Sequence, residues 1–308
     1  MTKYKLKSLD DIVSAALDFF SKNEPVKLGA KDFKFPLVVG SGNAYHTGKI
    51  IFSNNSAIFA TESDFKDIIK QYEPLIKSKT ISEVVVISAS GEKDSVWELE
   101  LAKKSGLKTV LITCSGDSSA AKIADQVFTY SKLPEPYTYN TSTYLGMILS
   151  SSSEKADTIK KVIKKIKIPK KFKQYQSYSF ILPDKFGNLA PMLDIKRHEL
   201  FGPKVSLRAF SFGEARHAKF VVRDKKELVI SFGKNLYFGE PDSHWEINLP
   251  DDAGYGTYMA FCYHLVGLIQ KSKPDYYKKN IIRFCNNDGY KAYGSTTPFD
   301  VIVPGNIK

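Results

Sequence analysis

SEVVVISASGEKDSVWELELAKKSG (Ser82–Gly106) places a β-branched run, Val84-Val85-Val86-Ile87, directly before Ser88-Ala89-Ser90-Gly91 and a stretch with helical composition. A near-continuous apolar run of this length is what a strand buried on both faces requires, and a small-residue turn that leads into a helix completes a β–turn–α unit. KTVLITCSGDSSAAKIADQVF (Lys108–Phe128) repeats the grammar, and PLVVGSGNAYHTGKIIF (Pro36–Phe52) precedes it with a run, a Gly/Ser turn and a helix. SAIFATESDF (Ser56–Phe65) reads as a further strand with its loop. Alternation of this kind predicts an α/β fold, a parallel sheet with helices on both faces. Ahead of it, Ile12, Ala15, Ala16, Phe19 and Phe20 mark an N-terminal helix over Leu9–Lys22.

With 308 residues and 43% hydrophobic content the chain can bury a sizeable core as one large domain or two ordinary ones. No apolar run reaches the roughly 20 residues that span a bilayer, and the opening MTKYKLKSLDD lacks an apolar leader stretch, so a cytoplasmic protein without a membrane partner is expected. Cys114, Cys262 and Cys285 are scattered without CxxC spacing, which predicts free thiols and no structural metal. The net charge of +12 invites a nucleic-acid reading. Much of the excess, however, sits in TIKKVIKKIKIPKKFK (Thr158–Lys173), where Ile159, Val162, Ile163 and Ile166 follow one helical face. The lysines then read as its solvated side, and a nucleic-acid partner is not expected.

In parallel α/β sheets ligands bind beyond the carboxyl ends of the strands. Those ends are Gly40-Ser41-Gly42-Asn43, Ser88-Ala89-Ser90-Gly91 and Thr113-Cys114-Ser115-Gly116. Free backbone N–H groups, serine hydroxyls and close glycine approach suit an anion, phosphate above all, although each turn alone is also an ordinary capped βα turn. Both nucleotide fingerprints fail: Gly40–Tyr45 lacks the third glycine of GxGxxG, and GxxxxGK[ST] is absent.

Taken in order, these motifs resemble the sugar isomerase (SIS) domain family. Ser88, Ser90 and Gly91 match its Ser-x-Ser-Gly-x-Thr phosphate loop, with Lys93 where the threonine is expected. GSGNAYHTGKIIF resembles the family's opening turn and helix, with Ala44 where serine is often found. LITCSGDSSAAKIAD is similar to its alanine-rich segment, and PEPYTYNTSTYLGMIL (Pro134–Leu149) to its Glu-containing loop. The resemblance implies substrate-binding roles for Gly40, Ser41, Gly42, Asn43, Ser88, Ala89, Ser90, Gly91, Lys93, Ser95, Glu135 and Thr141, with Ser142 facing the site. His46 follows the first turn and is a candidate pocket residue.

MLDIKRHELFGPKVSLRAFSFGEARHAKFVV (Met192–Val222) resembles the start of a second unit of the double-SIS phosphosugar isomerases, with Ala218 in place of the usual glycine. In that family a glutamate shuttles a proton between adjacent sugar carbons and a histidine assists ring opening. The resemblance implies Glu199 as base and His217 for ring opening; Glu214 either orients His217 or is itself the base. A carboxylate and an imidazole tuned by their surroundings are adequate tools, and neither cofactor nor metal is required. Lys278, Lys279 and Arg283 follow the predicted helix YMAFCYHLVGLIQ (Tyr258–Gln270), where the family often places a functional lysine. His244 and His264 read as structural.

The expected organisation is a three-layer α/β/α sandwich of two SIS-like units with flavodoxin-like topology, the second abbreviated because EPDSHWEINLPDDAGYG (Glu240–Gly256) leads almost directly to the final helix. Expected boundaries are a helical segment 1–34, a first SIS domain 35–152, a lysine-rich helical connector 153–175, a second unit 176–290 and a tail 291–308. The tail reads as a surface segment or a strand exchanged with a partner. The function implied is a phosphosugar aldose–ketose isomerase acting as a homodimer on a small sugar phosphate. A phosphosugar deaminase or deglycase, and a non-catalytic phosphosugar-binding protein, are the alternatives.

Overall fold

The computed structural model describes residues 6–235 and 237–302; the last residues of the predicted tail, 303–308, lie outside them. The chain divides into two compact units, one comprising Lys22–Lys132 with Thr143–Ser153, the other the residues up to Ser21, Leu133–Ser142 and those from Glu154 onward.

The first unit holds a five-stranded sheet built from β1 (Leu37–Gly40), β2 (Ile58–Ala60), β3 (Glu83–Ile87), β4 (Lys108–Thr113) and β5 (Gln126–Thr129). Every pairing is parallel, in the order β2-β1-β3-β4-β5. This is the flavodoxin-like order. Leu37, Val39, Ile58, Ala60, Val84, Val86 and Leu111 pack with Phe65, Ile69, Ile76, Leu99, Ala102 and Ala120 of the helical segments on one face. On the opposite face the helix Asn43–Ile51 lies so close that a Cβ at Gly48 would stand 2.8 Å from Val38 and 3.0 Å from Ile87. Burial on both faces explains the unbroken apolar runs: each fully buried valine or isoleucine contributes about 1.5–3 kcal/mol.

The second unit repeats the plan in smaller form. Its strands β6 (Ser177–Leu182), β7 (Ser206–Ser211), β8 (Glu227–Phe232) and β9 (His244–Ile247) pair in parallel in the order β7-β6-β8-β9. Parallel neighbours ordinarily need a helical crossover. Between β8 and β9 a loop with one 3-10 turn, Pro241–Ser243, replaces it, which is the abbreviation expected from Glu240–Gly256.

Two local findings refine the sequence reading. The N-terminal helix spans Leu9–Lys22, while the lysine-rich helix runs only from Ala156 to Lys165. Ile166 is already extended, and Pro169 downstream keeps Ile168 out of helical geometry, so the rest of Thr158–Lys173 does not continue that helix. The long helix Tyr255–Gln270 is capped by Glu154, whose carboxylate accepts from the N–H groups of Gly254 (2.9 Å), Gly256 (2.7 Å) and Thr257 (2.8 Å). Of the predicted tail, Phe299 stacks on Tyr137 with ring centroids 4.2 Å apart, and its N–H bonds to the Cys285 carbonyl. Among the described residues no helix is long and apolar enough to cross a membrane.

Glu98, on the helix Asp94–Lys104, is 1% exposed, and its Oε1 has no hydrogen-bond partner among the described residues. Burial first, then the charges of Asp94 and Glu62, push its carboxyl up from 4.5 to about 8. The folded protein therefore holds this proton where the unfolded chain has lost it, and stability falls as pH rises from about 4.5 to about 8. Glu98→Gln is expected to flatten this decline and to raise stability above pH 8 by up to a few kcal/mol, read from chemical denaturation between pH 6 and 9.

Candidate functional site

In the first sheet the chain leaves β1 toward β2 on one side and returns to β3 on the other, so the crevice beyond β1 and β3 is the topological switch point. Gly40 is registered against Ile87, which brings the Gly40–Asn43 and Ser88–Gly91 turns to adjacent strand ends. A Cβ at Gly40 would stand 3.0 Å from both the Ile87 carbonyl and the Tyr45 nitrogen, so any larger residue there would need the backbone to give by a few tenths of an ångström. Gly42, at φ +53°, opens the helix Asn43–Ile51, and no side chain caps it. Asn43 is 6% exposed, with its Oδ1 unpartnered among the described residues. The neighbouring His46 ring is kept neutral: burial, then Lys49, lowers it to about 4.

The second turn is braced from within. The Ser88 hydroxyl accepts from the Gly91 N–H at 3.1 Å, and the Ala89 carbonyl accepts from the Cys114 N–H at 3.1 Å. Gly91 adopts φ +65°, and a Cβ on it would fall 2.0 Å from Ser118 Oγ. Ser90 is exposed. Lys93, also in the left-handed region at φ +54°, opens the helix Asp94–Lys104, again without a side-chain cap. Ser95 is buried and gives its hydroxyl proton to the Glu92 carbonyl at 2.9 Å. Beyond β4, the Glu92 carboxylate accepts from the Ser119 N–H, a bond that holds Glu92 below the usual carboxylate range.

The remaining predicted residues belong to other local arrangements. Glu135 accepts from the N–H groups of Thr141 (2.8 Å) and Ser142 (2.9 Å) and from the Ser142 hydroxyl (2.7 Å), so these three form the start of the helix Thr141–Ser150. Glu199 lies on the helix Ala190–Phe201, where the fully buried Lys196 places Nζ 2.6 Å from Glu199 Oε2 and also bonds the Thr138 carbonyl. Burial raises the Glu199 carboxyl above the usual carboxylate range, against the opposing pull of Lys196. The sequence analysis does not single out Lys196; its i, i+3 spacing from Glu199 was the available signal.

His217 ends the short helix Phe212–His217, is exposed, and its ring bonds to no described residue. Glu214 closes a capping box with Ser211: its carboxylate accepts from the Ser211 N–H at 2.8 Å, and Ser211 Oγ accepts from the Glu214 N–H at 3.2 Å. Lys278 Nζ lies 2.9 Å from Ser8 Oγ, and Arg283 pairs with Asp288 on the surface. Among the described residues, no three His, Cys, Asp or Glu side chains are grouped to hold a metal.

Residues 37–154 match the family model of the SIS domain. That segment belongs to the SIS domain family. It contains the whole of the first sheet and the Glu135 loop. No curated protein sequence matches the chain. Among solved structures the chain is similar to tagatose-6-phosphate ketose/aldose isomerase from Escherichia coli, at 14% identity and a TM-score of 0.52 over 97% of this chain and 91% of that one. Glucosamine-6-phosphate deaminase from Thermotoga maritima is similar at 16% identity and a TM-score of 0.56, covering 96% and 98%. The C-terminal domain of glucosamine-fructose-6-phosphate aminotransferase from Francisella tularensis is similar at 14% and 0.53, covering 87% and 95%. At these identities the likeness is one of fold, and it extends past the SIS domain into the second unit.

Gly42 and Gly91, two of the left-handed glycines of the SIS domain, separate backbone strain from crowding. Gly42→Ala meets nothing within 4 Å and is expected to cost about 1–2 kcal/mol from φ alone. Gly91→Ala must also displace Ser118 and is expected to cost roughly 1 kcal/mol more, as measured by urea denaturation.

Proposed function

We propose that the chain binds a sugar phosphate through its SIS domain and interconverts the aldose and ketose forms. The observation that carries the reading is the pair of uncapped helix starts, at Gly42 and Lys93, at adjacent strand ends of the switch point. Unfilled N–H groups and the positive ends of two helices suit a phosphate dianion, and Lys93 adds a point charge where the family has a hydroxyl. Hydroxyls of Ser41, Ser88 and Ser90 and the Asn43 carboxamide complete the binding assignment.

The proton transfer is assigned to Glu199. Its carboxylate takes the proton from the carbon next to the sugar carbonyl and returns it to the neighbouring carbon, through an enediol-type intermediate. A carboxyl raised by burial is a stronger base once ionised than an exposed one, and Lys196 opposes that rise and fixes its orientation. His217 is assigned to ring opening. The unpartnered, exposed ring of His217 and the commitment of Glu214 to its helix cap favour a second reading, a sugar-phosphate-binding protein without turnover.

The readings separate in deuterated buffer with a panel of hexose and hexosamine 6-phosphates, with NMR following exchange at the carbon next to the carbonyl and ammonia assayed in parallel. An isomerase is expected to exchange that proton, and Glu199→Gln to slow the exchange by about 10²–10⁴-fold. The rate should rise with pH through an apparent pKa above the usual carboxylate range, because only the ionised carboxylate is a base. Lys196→Met should move that pKa higher still. Binding without exchange in the parent protein would establish the second reading.

A further inference from the structure

The second unit carries a feature that the sugar-phosphate reading does not use. Two grooves, of about 510 and 530 Å³, are both lined by Trp245 of the edge strand β9. Lys170 and Lys171 line one, Lys165 and Lys167 the other. These belong to the run Lys164–Lys173, which holds six lysines, and none of the six makes an ion pair among the described residues. The helix stops at Lys165, so the rest of the run passes along the grooves instead of continuing a solvated helical side. Asp242 and Glu246 border the grooves but leave the lysines in excess.

Groups suited to a flat polar ring sit among these charges. Trp245 is half-buried and braced edge-on by Phe172, with ring centroids 6.0 Å apart, and its indole N–H has no partner among the described residues. His244 lines the same groove as Lys170, with Nε2 2.7 Å from Ser231 Oγ. Ser231 Oγ also lies 3.1 Å from the Gly233 carbonyl; with its hydroxyl proton given there, Nε2 would donate to Ser231 and Nδ1 would be left as an acceptor. Burial lowers the His244 pKa against the pull of Glu246, which favours this neutral form.

We propose that the groove between Trp245 and Lys170-Lys171 binds a nucleoside phosphate, its base against Trp245 and His244 and its phosphates on the lysines. The volume is that of a small-ligand site. An aromatic face beside unpaired lysines matches a base joined to phosphates, whereas a nucleic-acid strand needs a row of stacking platforms, and one tryptophan serves here. The assignment is independent of the sugar-phosphate reading and concerns different residues.

Calorimetric titration of the full chain with ATP, GTP, CTP and UTP tests it, beside sodium tripolyphosphate and a ten-nucleotide deoxythymidine strand. At least one nucleotide is expected to bind at one site per chain, at least ten-fold more tightly than tripolyphosphate. Lys170→Glu with Lys171→Glu, both exposed, should weaken that binding at least ten-fold, as should Trp245→Leu. Circular dichroism checks that the variants are folded, and the lysine pair stands if Trp245→Leu is not. Equal affinity for tripolyphosphate, tighter binding of the strand than of any nucleotide, unaltered binding by the lysine variant, or no heat with any nucleotide would each overturn the proposal.

Discussion

The pairing of β1 with β3 at Gly40 and Ile87 is the constraint on which the SIS domain's geometry rests. Both strands are buried on both faces, so neither can slip by one residue without exchanging its two apolar faces. The missing side chain at Gly40 lets the Ile87 carbonyl and the Tyr45 nitrogen close around the backbone. From that contact the chain turns outward twice, and two helix starts are left side by side. A larger residue at Gly40 would crowd the Ile87 carbonyl and the start of the helix Asn43–Ile51.

Several helix starts are filled by a carboxylate of the chain itself. Glu154 fills the start of Tyr255–Gln270, Glu135 that of Thr141–Ser150, and Glu214 the start of its own short helix; Asp184 bonds the Gly213 N–H beside it. Each of these carboxylates satisfies N–H groups that would otherwise call for water or an anion. The helices after β1 and β3 start instead at Gly42 and Lys93, residues with left-handed backbone and no side-chain cap. Other helices, among them Ala156–Lys165 and Ala190–Phe201, also start without a side-chain cap, but these two starts stand together at the neighbouring ends of β1 and β3.

The Lys196–Glu199 pair shows why a partly buried carboxylate needs its neighbour. Burial alone drives a carboxyl toward its neutral form, and an adjacent ammonium works against that shift. Lys196 is itself fully buried and held by the Thr138 carbonyl, so the charge beside Glu199 has a fixed position. Removing Glu199 would leave the buried Lys196 ammonium without its counter-charge, a costly state.

Much of the fold was legible because its signals are local. Runs such as Val84–Ile87, the glycine turns and the helix of Leu9–Lys22 each follow from neighbours in sequence, and the second unit's abbreviation showed in the short path from Phe232 to Tyr255. The site was legible as a set of turns, but not as an arrangement. Nothing in the spacing says that the Glu214 carboxylate bonds the Ser211 N–H, that Lys196 lies against Glu199, or that Ser231 meets His244 across two strands. The lysine run was misread at its end for the same reason: helical periodicity describes Ala156–Lys165 correctly, but the course of the chain after Ile166 is set by Pro169 and by packing of Phe172 on Trp245. By itself, then, the sequence determined the parallel sheets and the turns, because strand burial and turn chemistry are written residue by residue. Only the tertiary structure decided which polar groups meet, because those contacts join residues far apart in the chain, and each is set by the register and packing of whole elements.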